Sequence, residues 1–231
     1  MRTGKRTGIH FLNDERIASR IVSCIDTTDR DVLEIGPGRG ALTAYIKEYR
    51  SLCLIEKEKS FEPMLRQKFP GATILIGDAL KLDWPKFDVF VSNMPYKITS
   101  PLLEKLWETD FTEGVITVQK EFADRLMAKK GTKDYSKMSI LMQLKFELKK
   151  QFDIHPSKFS PPPEVYSTVL TLTRKDVVIE EEFPEFLNKL FSQRRKKIKN
   201  IVPTELHADQ RPEELSTGEL LDLYHRINGK K

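Results

Sequence analysis

Short apolar runs alternate with amphipathic stretches along the first half of the chain. Residues 14–25 carry Ile17, Ile21, Val22 and Ile25 at helical spacing. Asp31-Val32-Leu33, Ser51-Leu52-Cys53-Leu54-Ile55, Ala72-Thr73-Ile74-Leu75-Ile76 and Val89-Phe90-Val91 are brief, nearly continuous apolar runs, the pattern of strands buried on both faces. Ala41 to Ile46 reads as the start of a helix. Residues 100–107 read as another, with Pro101 at a tolerated early position. Glu113–Gln119 predicts a fifth strand and residues 121–128 a further helix. Strands and helices in alternation predict a parallel sheet covered on both sides. Residues 139–153 hold a strand, and residues 165–173 another with period-two alternation. Pro161-Pro162-Pro163 between them forces an extended connector. From Glu180 the pattern is helical alone. Phe183, Phe186, Leu187, Leu190, Phe191 and Ile198 keep that spacing, and Ser216 with Glu219 form a capping box before Leu220. The pattern predicts an α/β sheet domain over 1–175 and a small helical domain over 176–231, with the boundary near Lys175.

Each of the first four strand runs ends in polar or glycine residues suited to a ligand. The first leads into Glu34-Ile35-Gly36-Pro37-Gly38-Arg39-Gly40, a tight glycine turn between strand and helix. The second ends at Glu56, twenty positions after Gly36, where an acid can accept both hydroxyls of a ribose. The third ends in Gly77-Asp78-Ala79-Leu80, where Asp78 can take the amino group of an adenine. The fourth ends in Asn93-Met94-Pro95-Tyr96. An amide, a proline and an exposed aromatic have no packing purpose there. They suit methylation of an exocyclic base amine, a weak nucleophile that must be held and turned towards an electrophile. Two cofactors fit. Gly36, Gly38 and Ala41 satisfy the dinucleotide pattern, which keeps a nicotinamide dehydrogenase open. S-adenosylmethionine carries an adenosine without a pyrophosphate, and a carboxylate at Glu34 would repel a pyrophosphate yet tolerate a sulfonium.

With these motifs in place, the sequence resembles the ribosomal RNA adenine dimethyltransferases, which dimethylate two adjacent adenines near the 3′ end of small-subunit rRNA. The resemblance runs from Gly8 to about Asn200. It is carried by Gly8-Ile9-His10-Phe11-Leu12, Glu34 to Thr43, Gly77 to Leu80, Asn93 to Pro101, Val118 to Arg125, Gly131 to Ser139, Phe159 to Val169 and Gln193 to Asn200. Ile9 departs from the family's usual glutamine, and His10 stands where asparagine is also common. The resemblance implies a Rossmann-like, seven-stranded methyltransferase sheet with an antiparallel last hairpin. It implies S-adenosylmethionine over Gly36 and Gly38, its ribose on Glu56, its adenine by Asp78 and Ala79, with Glu34 and Asn93 beside it and His10 and Leu12 closing over it. A flipped adenine would stack on Tyr96, its amine held by Asn93 and the Met94 carbonyl, with Pro95 shaping the turn. Two other readings share the motifs: a large-subunit rRNA adenine methyltransferase of the macrolide-resistance type, and an idle RNA-binding assembly factor.

Composition narrows this modestly. A chain of 231 residues buries roughly 70% of its unfolded surface, enough for one core and a smaller unit. The net charge of +5 suits nucleic acid without requiring it. The cations cluster: Arg2, Lys5 and Arg6; Lys129, Lys130, Lys133 and Lys137 around Gly131, a mobile phosphate-contacting loop; and Arg194, Arg195, Lys196, Lys197 and Lys199, the densest run, of which Arg194, Arg195, Lys196 and Lys197 are the expected RNA contact. Cys24 and Cys53 read as reduced core residues, and the four scattered histidines lack metal-ligand spacing. No apolar stretch reaches the length of a membrane span. A monomeric cytoplasmic enzyme acting on small-subunit rRNA in the pre-ribosomal small subunit is expected, with no membrane association.

Overall fold

A computed structural model describes residues 10–229. Arg2, Lys5, Arg6, Gly8 and Ile9 lie outside the described residues. The chain divides into two compact units. One comprises the chain up to Ala123 together with Leu148–Arg174; the other comprises Asp124–Glu147 together with the chain from Lys175 onward.

The first unit is built on a seven-stranded sheet of order β4-β3-β2-β5-β6-β9-β7. Its strands are β2 (Asp31–Ile35), β3 (Ser51–Glu56), β4 (Thr73–Ile76), β5 (Val89–Asn93), β6 (Glu113–Gln119), β7 (Phe146–Ile154) and β9 (Ser167–Arg174). β2, β3, β4, β5 and β6 run parallel, and β9 is antiparallel to β6. Val89, Phe90, Val91, Leu33 and Leu54 are wholly buried, as strands covered on both faces require. Each such side chain contributes roughly 1.5–3 kcal/mol by leaving water. The strand order reverses between β2 and β5, so the crevice where such sheets take ligands opens at the ends of these two strands.

Short elements close the rim of that crevice. β1 (Phe11–Leu12) pairs antiparallel with β8 (Phe159–Ser160). Helix α1 (Glu15–Val22) follows, capped by Asp14, whose side chain accepts the Ile17 N–H at 3.1 Å. Lys158 donates to the same carboxylate at 2.6 Å and holds it below the ordinary aspartate range. Helices α2 (Glu62–Lys68), α3 (Thr99–Glu108) and α4 (Lys120–Leu126) complete the alternation, with Pro101 in the first turn of α3. The helix expected from Ala41 is only a 3-10 turn over Thr43–Tyr45. Ile46 is already extended there, and the Thr43 hydroxyl is committed to Glu34.

The second unit differs from the single boundary expected near Lys175, because Asp124–Glu147 belongs to it. The strand expected within residues 139–153 runs over Phe146–Ile154, and the residues before it form a helix that was not expected, α5 (Lys137–Lys145). Ser136 starts the helix by exchanging hydrogen bonds with Ser139. Ile140, Leu141 and Met142 are buried in succession and Leu144 two positions on, and such an apolar run does not tell helix from strand by period alone. α5 packs on α6 (Phe183–Phe191) and α7 (Thr217–Ile227). α7 has the expected capping box of Ser216 and Glu219. Ile198 does not extend α6; it lies in a separate 3-10 turn.

Candidate active site

A cavity of about 390 Å³ opens at the ends of β2, β3, β4 and β5. Twelve residues singled out in the sequence line it together: His10, Leu12, Glu34, Gly36, Gly38, Glu56, Asp78, Ala79, Asn93, Met94, Pro95 and Tyr96. The glycine turn forms the floor. Gly38 has φ +55°, and a Cβ there would stand 2.9 Å from the Phe11 ring. Only glycine meets both demands at low cost, and the bare backbone leaves room for a ligand.

Glu56 is buried at the end of β3 and its two oxygens lie in different bonds. One accepts the Gly38 N–H at 2.9 Å and the other the Glu58 N–H at 2.8 Å. The chain therefore fixes the carboxylate's plane, and each oxygen retains lone-pair capacity for a hydroxyl. Glu34 is 1% exposed, and the Thr43 hydroxyl donates to it at 2.6 Å. Burial, with the Glu56 charge adding to it against the Thr43 bond, pushes its carboxyl up to about 8. Asp78 accepts the Leu80 N–H at 3.1 Å and pairs with Lys57 at 2.8 Å, which keeps it ionised. An adenine amine at Asp78 would share it with that lysine.

Lys105 was not foreseen. Its ammonium donates to the Ala79 carbonyl at 3.0 Å and to the Leu82 carbonyl at 2.5 Å, while the Trp84 indole donates to Ala79 at 2.8 Å. These bonds set the course of the Asp78-Ala79 loop. A lysine at that point of an amphipathic helix reads as an exposed charge, so the sequence carries no signal for them.

On the β5 side, the Asn93 amide donates to the His10 carbonyl at 3.2 Å, which turns its oxygen the other way. The Met94 N–H donates to the Thr117 carbonyl of β6 at 3.0 Å and fixes the following peptide. Tyr96, expected to be exposed, is half-buried. Its hydroxyl shares a hydrogen bond of 2.6 Å with Ser167 of β9, and its ring lies 5.3 Å from that of His10. Burial raises the phenol above its ordinary range, against the Ser167 bond. The His10 Nδ1 donates to the Pro161 carbonyl at 2.7 Å. The proline run thus helps hold His10 over the cavity. Ser167 was also missed, being one hydroxyl among several in a strand whose partner across the sheet is not legible locally.

The basic run belongs to the second unit. Arg194 donates to Glu213 at 2.7 Å and to the Lys133 carbonyl at 3.2 Å. Lys197 and Lys199 both pair with Asp209, at 2.9 and 2.8 Å. Lys196 bonds the Gln193 side chain at 2.9 Å. Arg195 is exposed, without an ion pair among the described residues. Around Gly131 the loop is tied down. The Gly131 N–H donates to the Glu213 carbonyl at 2.7 Å, and Lys130 pairs with Glu219 at 2.9 Å. Among the described residues no helix is long and apolar enough to cross a membrane.

Comparison with known proteins extends over the whole chain. The family described as Ribosomal RNA adenine dimethylase matches residues 2–226. A Pyrobaculum islandicum protein named Probable ribosomal RNA small subunit methyltransferase A is 38% identical, over 96% of this chain and 94% of its own. A solved dimethyladenosine transferase from Plasmodium falciparum is 27% identical with TM-score 0.87, covering 95% of this chain and 98% of that one. The solved 23S rRNA methyltransferase ErmE is 24% identical with TM-score 0.71, covering 94% and 99%, a likeness of fold.

Proposed function

Since this chain belongs to the ribosomal RNA adenine dimethylase family, we propose that it transfers methyl groups from S-adenosylmethionine to the N6 amines of two adjacent adenines near the 3′ end of small-subunit rRNA. The observation that carries this is the convergence of Glu56, Asp78 and the Asn93 motif on one cavity at the sheet's switch point. The cavity's size is within the range of cofactor sites. The Glu56 carboxylate suits ribose hydroxyls and disfavours a pyrophosphate, and Glu34 suits a cation once it is ionised. That supports S-adenosylmethionine over a nicotinamide dinucleotide. The bound cofactor supplies a methyl group activated as an electrophile by its positive sulfur.

The chain's own part is positioning. Glu56 accepts the ribose hydroxyls, and Asp78 with Ala79 takes the adenine edge. Asn93 Oδ1 and the Met94 carbonyl accept the two hydrogens of the target amine and turn its lone pair inward. Tyr96, steadied by Ser167 and His10, offers a ring face to the extruded base. No strong base is required, because effective concentration and alignment carry the rate. The likeness to small-subunit relatives over nearly full length favours this reading over large-subunit methylation. Intact polar groups in the cavity favour an enzyme over an idle assembly factor. We extend the proposal to the pre-ribosomal small subunit as the particle recognised, to a monomer as the acting form and to the cytoplasm as its place.

Incubation with S-adenosylmethionine and undermethylated small subunits, followed by mapping of the modified nucleotides, tests this. Two adjacent dimethylated adenines near the 3′ end are expected. Methylation of large-subunit RNA alone, or none, would overturn it.

A further inference from the structure

Two carboxyl groups share the cofactor cavity, and their surroundings differ. Glu56 receives N–H bonds on both oxygens and stands where the ribose is assigned. Glu34, on the neighbouring strand, receives a hydroxyl bond from Thr43 and is more deeply buried. Desolvation penalises its charged form, and the nearby Glu56 charge adds to that penalty. Around the cavity stand the further ionisable side chains of Arg39, Lys57, Glu58, Asp78, Tyr96, Lys97 and His10. Lys57 and Asp78 pair with each other. With its carboxyl near 8, Glu34 is mostly protonated at neutral pH while nothing cationic is beside it.

This extends the cofactor reading above and rests on it. We propose that Glu34 keeps its proton when the cavity holds no cation or holds the uncharged thioether product, and releases it to solvent when the sulfonium cofactor binds, so that the site tells cofactor from product by charge. The step balances simply: the carboxyl O–H bond breaks, the proton passes to buffer, and the carboxylate left in the cavity lining would offset the cofactor's positive charge. Methyl transfer removes that positive charge. Glu34 then takes a proton back, and the neutral product leaves a site that no longer favours it over water. A permanently ionised carboxylate would bind the cofactor more tightly at neutral pH, but it would leave an unpaired buried charge after every turnover.

The sign follows from proton linkage. Cofactor binding selects the deprotonated form, so affinity rises with pH up to about 8 and levels above it. Titration calorimetry of the full chain at pH 7, in two buffers of different ionisation enthalpy, reads the proton directly. About half a proton or more should be released per S-adenosylmethionine bound, and little for S-adenosylhomocysteine. Between pH 6 and 7.5, below the range where an α-amino group titrates, cofactor affinity should rise by up to about tenfold per pH unit while product affinity stays nearly flat. Glu34→Gln keeps an acceptor for Thr43 and should abolish both the release and the slope. Equal proton release for both ligands would overturn the proposal. So would release that survives Glu34→Gln and is lost in His10→Asn. Cofactor binding without proton release would overturn it and leave the function standing. No cofactor binding at any of these pH values would overturn both.

Discussion

The cavity and the basic run make an instructive pair. In the cavity, Glu34, Glu56, Asn93 and Tyr96 are buried or half-buried, and each is held by one or two short hydrogen bonds. Glu56 between the Gly38 and Glu58 N–H groups is the clearest case. In the basic run, long side chains on the surface pair with acids far along the sequence, such as Arg194 with Glu213 and Lys197 with Asp209. Residue type therefore announces chemistry well where the backbone dictates the bond. It announces it poorly where a flexible cation chooses among partners. Part of the charge that looks available to RNA already serves the second unit's own structure.

The largest effect that can break this contrast is at Asn93. Asn93→Ala should lower single-turnover methyl transfer by about 100-fold or more, as loss of a positioned polar group in a closed site does. The loss should fall on kcat more than on KM, with RNA binding kept. Tyr96→Phe loses the Ser167 bond, worth about 1 kcal/mol, yet keeps the ring face and should retain most activity. Near-normal transfer by Asn93→Ala would make the motif structural and move the active site elsewhere.

Next comes Glu56→Ala. It removes a charge-assisted acceptor worth roughly 1.5–3 kcal/mol, about 10- to 150-fold in cofactor affinity. It also leaves the Gly38 N–H without its partner. Equilibrium binding checks this, and unchanged affinity would place the ribose elsewhere.

A smaller loss is expected for Gly38→Ala, which meets a left-handed backbone and the Phe11 ring at once. A destabilisation of about 1–2 kcal/mol should lower the melting temperature by several degrees. Cofactor binding should weaken with it. A melting curve identical to that of the unsubstituted protein would show that the turn relaxes freely.

The subtlest test divides the basic run by its pairing. Neutralising exposed Arg195 and Lys196 should flatten the salt dependence of binding to small subunits by about one to two released counterions, with thermal stability unchanged. Arg194→Ala should instead lower stability as its bonds to Glu213 and Lys133 are lost. If Arg194→Ala proves as stable as the parent and costs only RNA affinity, the ion pair is incidental and the run acts as one patch.

The sheet strands were legible because burial on both faces demands continuous apolar runs, and β6 matches its expected bounds residue for residue. That the glycine turn, Glu56, Asp78 and Asn93 line one cavity was legible because strand ends are where such sheets open a crevice. α5 was not, since its buried run carries no usable period and only its packing on α6 and α7 makes it helical. Nor was the course of the chain between units, because the return of Leu148–Arg174 to the sheet depends on pairing with a strand some fifty residues earlier.

Sequence alone determined the order of the strands along the chain, the chemistry at their ends and the family to which they point. Those properties reside in local period and residue type. The tertiary structure decided which hydroxyl steadies Tyr96, which lysine braces the Asp78 loop, how strongly Glu34 resists ionisation and which cations are already paired. Each of these depends on a distance between segments remote in sequence, and burial and Coulomb energy are functions of that distance.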